Sequence, residues 1–77
     1  SPLTVTQQVI ELFVVKNRYL DEVALNKIRP LLLDTYNHIS SSYPEIIKEL
    51  DEKKEISDQL DTKLNKIIKD YLQTKIN

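Results

Sequence analysis

The stretch Ser57-Asp58-Gln59-Leu60-Asp61-Thr62-Lys63-Leu64-Asn65-Lys66-Ile67-Ile68-Lys69-Asp70-Tyr71 decides the fold. Leu60, Leu64, Ile67, Ile68 and Tyr71 recur at the spacing of one face of an α-helix, while Lys63, Lys66 and Lys69 fall on the other faces. Ser57 stands where an N-cap belongs, and Asp58 and Asp61 in the first turn complement the positive end of the helix dipole. A stripe of this kind must be buried against something, and the rest of the chain supplies only more helix.

Upstream, Ser42-Tyr43-Pro44-Glu45 carries capping-box spacing with Pro44 in a first turn, which predicts a short helix holding Ile46, Ile47 and Leu50. Residues 45–58 contain six acids and three lysines. A recognition patch for a basic partner is one reading of this run; a solvated face with Glu49 and Lys53 at i,i+4 is the simpler one. Further back, Asn26 is a candidate cap for a helix reaching about Ser41, with Ile28, Leu31 or Leu32, Tyr36 and Ile39 as its stripe. Pro30 is expected within the first turn of that helix, where the missing N–H costs little. Thr4 with Gln7 has capping-box spacing and predicts a first helix from Val5 to about Lys16. Val5, Val9, Leu12 and Phe13 form one stripe of it, and Ile10 and Val14 lie on another face. Assigning the first stripe to the core leaves Ile10 and Val14 pointing outward, as candidate subunit contacts or as a patch through which the isolated chain self-associates. The fold class expected is all-α: a small bundle or superhelix of three to four helices, with residues 1–77 a single helical domain.

Composition bounds the function. Leu, Ile, Val and Phe supply 26 of the 77 residues, enough for a folded core, though at this size a core rarely yields more than about 3–5 kcal/mol. The net charge is −1, which lacks the basic excess of a nucleic-acid footprint. There is no Gly, so no Gly-rich phosphate loop, and no Cys, so no disulfide, thiol nucleophile or Cys-based zinc site. No apolar run approaches membrane-spanning length. Asp34 and His38 share a helix face, but no nucleophile is placed beside them by any motif, so an i,i+4 surface pair is the favoured reading over a catalytic dyad. Asp51, Glu52 and Glu55 lack the Gly turn of a calcium loop. Ser40, Ser41 and Ser42 read as a linker or cap. No catalytic, cofactor-binding or metal residue is therefore assigned in this segment, and insertion into a membrane is not expected.

The ordered set of short elements resembles the C-terminal end of the alpha subunit of F-type ATP synthase. Ser1-Pro2-Leu3 followed by Gln7-Gln8-Val9 is similar to the family's Ser-Pro-(Met/Leu) and Glu-Gln-Val stretch. Tyr19-Leu20-Asp21 resembles its Gly-Tyr-Leu-Asp element, Tyr43-Pro44-Glu45-Ile46 the start of a helix, and Lys54-Glu55-Ile56-Ser57 with Lys63-Leu64 a stretch near the terminus. The opening at Ser1 reads as a piece cut from a longer protein. The related beta subunit carries an acidic loop in its helical domain that Asp58-Gln59 matches poorly. Two departures stand out: Arg18 occupies the usual Gly before Tyr-Leu-Asp, where a left-handed residue is suggested, and Pro30-Leu31-Leu32 replaces a segment that usually ends in Phe-Glu.

The resemblance implies a structural, non-catalytic piece of the regulatory nucleotide-binding subunit of a proton-translocating rotary ATP synthase. ATP and magnesium would be bound by the parent subunit, outside this segment. The partners implied are the beta and gamma subunits, with Glu52, Lys53, Lys54 and Glu55, like Ile10 and Val14, as possible contacts. The setting implied is peripheral, on the cytoplasmic face of the bacterial cell membrane or, alternatively, on the matrix side of the mitochondrial inner membrane. The rival reading is a free-standing helical adaptor that presents the 57–72 helix to a partner's groove.

Overall fold

A computed structural model describes residues 4–76, with Ile76 described by its backbone alone. The Ser1-Pro2-Leu3 element lies outside the described residues. The protein forms four helices and, among the described residues, no strand: α1 (Val5–Lys16), α2 (Leu25–Ser42), α3 (Pro44–Lys53) and α4 (Asp58–Ile76). α2 is the central helix and packs against the other three, and α1 also packs on α3. No helix among the described residues is long and apolar enough to cross a membrane.

α1 begins as expected. The Thr4 hydroxyl accepts from the Gln7 backbone N–H at 3.0 Å, while the Gln7 amide turns forward to Glu11 at 3.1 Å instead of closing the box. Its orientation reverses the expectation. Ile10 and Val14 are 0% and 1% exposed, and with Phe13 and Thr6 they form the core face. Val5, Leu12 and Val15 face outward at 59%, 68% and 51%. Thr6, Ile10, Phe13 and Val14 have the same 4, 3, 1 spacing as Val5, Val9, Leu12 and Phe13, so periodicity is degenerate between the two stripes. Docking on α3 separates them: the buried Thr6 hydroxyl donates to Asp51 Oδ1, which fixes the second stripe inward.

α1 ends in a Schellman motif. The Tyr19 N–H reaches the Val14 carbonyl at 3.4 Å and the Arg18 N–H the Val15 carbonyl at 3.0 Å, with Arg18 at φ 63°. Arg18 thus adopts the left-handed conformation for which Gly is the usual residue.

α2 starts earlier than expected. Ala24, not Asn26, is its N-cap residue, and no side-chain hydrogen bond caps it. Pro30 is consequently the sixth helical residue, where its ring removes the donor that the Asn26 carbonyl would otherwise receive. The helix keeps that defect because Ile28, Leu31 and Leu32, on either side of it, all pack against the core. Thr35 and Ile39 are the fully buried residues of α2. The Thr35 hydroxyl is satisfied inside the helix by the Leu31 carbonyl at 2.7 Å.

The break between α2 and α3 falls at Tyr43 alone. Ser42 is the last residue of α2 and caps nothing. Pro44 sits at the first position of α3, and a residue before proline is driven out of the helical region, which places Tyr43 at φ −134°, ψ 58°. Its N–H still closes α2 on the Ile39 carbonyl, and its carbonyl opens α3 to the Ile46 N–H. α3 buries Ile46 and Leu50 and ends at Lys54, a second left-handed residue at φ 56°. Ser57 then caps α4: its hydroxyl accepts from the Leu60 N–H at 3.2 Å. Leu60, Leu64, Ile67, Ile68 and Leu72 of α4 complete the core with Leu20 from the α1–α2 turn.

Candidate interaction surface

The α3–α4 turn gathers four of the residues singled out from the sequence. Glu52 and Lys53 close α3, Lys54 turns the backbone through its left-handed conformation, and Glu55 follows; all four side chains are exposed. Lys53 pairs with Glu49 at 3.8 Å, the expected i,i+4 contact on a solvated face. Ile56 is half-buried against the core and anchors the turn before the Ser57 cap. The turn is therefore a polar tip of two lysines flanked by two acids, with Ile56 at its base. Ile10 and Val14 are not part of any such surface, because the protein's own core encloses them.

The Tyr-Leu-Asp element has a clear division of labour. Leu20 enters the core, Asp21 pairs with Arg18 at 3.1 Å on the surface, and Tyr19 reaches across to α4. The Tyr19 hydroxyl donates to Asn65 Oδ1 at 2.5 Å and lies 3.2 Å from the Asn65 carbonyl. Asn65 Nδ2 in turn donates to Asp61 Oδ1 at 2.9 Å. Burial, and then the negative charge of Asp61, raise the Tyr19 phenol above its ordinary value of 10.0.

His38 belongs to an aromatic cluster. Its ring stacks on Tyr71 at 4.2 Å between centroids and meets Tyr43 edge-on at 6.0 Å. Lys75 lies over the same Tyr71 ring at 5.4 Å. The ring partners of His38 are thus tyrosines, and the expected pairing with Asp34 gives way to stacking because α4 brings Tyr71 against this face of α2. A groove of about 640 Å³ opens beside the cluster, walled by Lys63, Lys66 and Asp70 of α4. No group of three or more His, Cys, Asp or Glu side chains among the described residues is placed to hold a metal ion.

Three of these features are not visible in the sequence. Nothing about Asn65 signals pairing with Tyr19, 46 residues away. Thr6 looks like an ordinary first-turn residue, and Lys54 carries no mark of a positive φ. The adaptor reading also changes: the apolar face of α4 is consumed by the protein's own core and is not free to enter a partner's groove.

Four helices around one shared core, tied by the Thr4 and Ser57 caps and by the Tyr19–Asn65 and Thr6–Asp51 contacts, define a small helical structural module. The protein belongs to the family "ATP synthase alpha/beta chain, C terminal domain", whose model matches residues 1–71, and the relatives it matches are alpha subunits. It is 33% identical over 71 residues to the ATP synthase subunit alpha of Clostridium botulinum strain Langeland, with 92% of this sequence covered. It is 32% identical over the same length to that of strain Hall, and 29% to that of Caldanaerobacter subterraneus subsp. tengcongensis, again over 92% of this sequence. The match spans 14% of the length of each of these relatives. No solved structure gives a significant match.

Proposed function

We propose that this protein serves as the C-terminal helical domain of an ATP synthase alpha subunit, a single helical unit that carries no catalytic residue of its own. The observation that carries the reading is the family match across residues 1–71, which takes in α1, α2 and α3 whole and most of α4. The parent is an ATP synthase complex, and the nucleotide and its magnesium are held by the parent subunit upstream of this segment. Support for that division comes from a sequence without Gly, in which no backbone can crowd a phosphate without a Cβ. The partners are other subunits of the synthase, beta and gamma, met in part through Glu52, Lys53, Lys54 and Glu55. The complex sits peripherally at a membrane, on the cytoplasmic face in a bacterium or the matrix side of the inner membrane in a mitochondrion.

A chimera tests this. The Clostridium botulinum alpha subunit, with this sequence in place of its matched stretch, is expected to assemble with its own beta and gamma subunits. A single Glu52→Cys in a segment that has no cysteine of its own then provides a crosslinking position. Assembly with a crosslink from residue 52 to beta or gamma supports the reading. A folded chimera that fails to assemble overturns it.

A further inference from the structure

The first turn of α2 has little to hold it. α1 and α4 each begin on a side-chain cap that accepts from the N–H three residues on, Thr4 from Gln7 and Ser57 from Leu60, and α3 begins on Pro44. α2 begins at Ala24 with no such cap and with no acid in its first turn. Of residues 24–30 only Ile28 is half-buried, and Leu25 is 88% exposed. The helical ladder opens with two bonds, from the Ile28 N–H to the Ala24 carbonyl and from the Arg29 N–H to the Leu25 carbonyl. The Lys27 N–H also reaches the Ala24 carbonyl, at 2.8 Å. The next donor in the ladder would be that of residue 30, and Pro30 has none. This gap separates the opening bonds from the rest of the ladder.

We propose that this turn is a two-state switch, in which α2 starts either at Ala24, as observed, or two residues later at Asn26. In the late start Asn26 is the N-cap. Its side-chain oxygen accepts from the N–H three residues on, that of Arg29, as Thr4 and Ser57 do at the heads of their own helices. Pro30 then lies within the first turn, where proline is better tolerated. One cap bond replaces the isolated opening bonds, and the exposed Leu25 has little packing to lose. Ile28, Leu31 and Leu32 are helical in both states, so the core is the same in both. The connection from α1 is what changes: it ends at Ala24 in the early start and at Asn26 in the late one. The switch thus takes up or releases two residues between Tyr19, which is tied to α4, and the body of α2. The inference goes beyond the assembly role and does not depend on it.

Hydrogen exchange in the folded alpha-subunit chimera tests this, with single amides resolved by electron-transfer fragmentation and the buried Ile39 as the mark of the folded domain. The Lys27 and Ile28 amides lose their acceptors in the late start, whereas the Arg29 amide is bonded in both. Lys27 and Ile28 should therefore exchange about fivefold faster than Arg29, the factor that one cap bond is worth. Asn26→Ala should slow Lys27 and Ile28 about threefold and speed Arg29 about twofold, because the late start becomes rarer and no longer shields the Arg29 N–H. Asn26→Ser keeps a capping oxygen and should leave all three rates near those of the unmodified sequence. Simple fraying of the helix end predicts instead that Asn26→Ala moves all three amides in the same direction, and that result overturns the proposal. So does protection of Lys27 and Ile28 equal to that of Ile39.

Discussion

The Tyr19 hydroxyl meets Asn65 Oδ1 at 2.5 Å and so ties the turn after α1 to the middle of α4, two elements separated by 46 residues in sequence. Asp61 holds the other end of the Asn65 amide, so the side chain is gripped from both sides. Removing the donor leaves the carboxamide oxygen without that partner. Tyr19→Phe is expected to lower stability by about 1 kcal/mol, the usual worth of one such bond, read from the shift in urea midpoint at neutral pH.

The same contact has a pH signature. The folded phenol titrates above 10.0, its ordinary value, because burial disfavours the phenolate and Asp61 repels it. A group raised on folding contributes stability that is fully present below its unfolded value and is lost as pH rises through its folded value. Stability should thus fall from about pH 10 upward, by more in the wild-type protein than in Tyr19→Phe. Coincident slopes for the two proteins in that range would show that the contact does not form in solution.

Arg18 occupies a left-handed position, φ 63°, that costs a residue with a Cβ about 1–2 kcal/mol. Arg18→Gly removes that strain. The surface pair with Asp21 that it forfeits is exposed on both sides and offsets little. A gain of about 0.5–1 kcal/mol is expected once the extra conformational entropy of Gly is counted. Thermal unfolding measures it, and a lowered midpoint would refute the capping geometry.

Pro30 predicts a second gain. In the sixth position of α2 it removes one helical bond, and Pro30→Ala should stabilise the protein by up to about 3 kcal/mol, the propensity gap between the two residues. Hydrogen exchange should slow at the amides of the first two turns of α2. No change in either quantity would mean that the Asn26 carbonyl is satisfied in some other way.

Ser57→Ala is expected to cost about 1 kcal/mol, since the Leu60 N–H loses its acceptor at 3.2 Å. Asp58→Ala should cost less, about 0.3–1 kcal/mol through the helix dipole. An unfolding midpoint unmoved by Ser57→Ala would place the start of α4 elsewhere.

How far the fold can be read depends on whether a signal has rivals. The Ser57 cap and the α4 stripe have none, and both stand, except that Leu72 enters the core in place of Tyr71, which is only partly buried. α1 has two stripes of identical spacing, and its packing on α2 and on α3, the latter through Thr6 and Asp51, chooses between them. The serines at 40–42 look like a linker, yet Pro44 acts on the residue before it, so the helix runs through them to Ser42. Asn26 loses its capping role because Leu25 is drawn into α2 ahead of it. The candidate contact tip is legible as charge, but the left-handed Lys54 that shapes it is not, since nothing in a Lys-Lys-Glu run announces a positive φ. The Tyr19–Asn65 tie requires knowing which turn of α4 lies beside the end of α1, and local spacing carries no such information.

Tyr43 has a mechanical consequence. It is at once the last cap of α2 and the first of α3, so the angle between those helices is set by the two dihedrals of a single residue. α3 has ten residues and extends about 15 Å beyond that pivot, so a twist of about 10° at Tyr43 displaces its far end by about 2.6 Å. The far end is where Glu52 to Glu55 lie. The ring of Tyr43 rests edge-on against His38 of α2, which is itself stacked on Tyr71 of α4, so a turn of the elbow slides the Tyr43 ring along the edge of the His38 imidazole. The polar tip and the far part of α4 thus share one chain of aromatic contacts, Tyr43 to His38 to Tyr71.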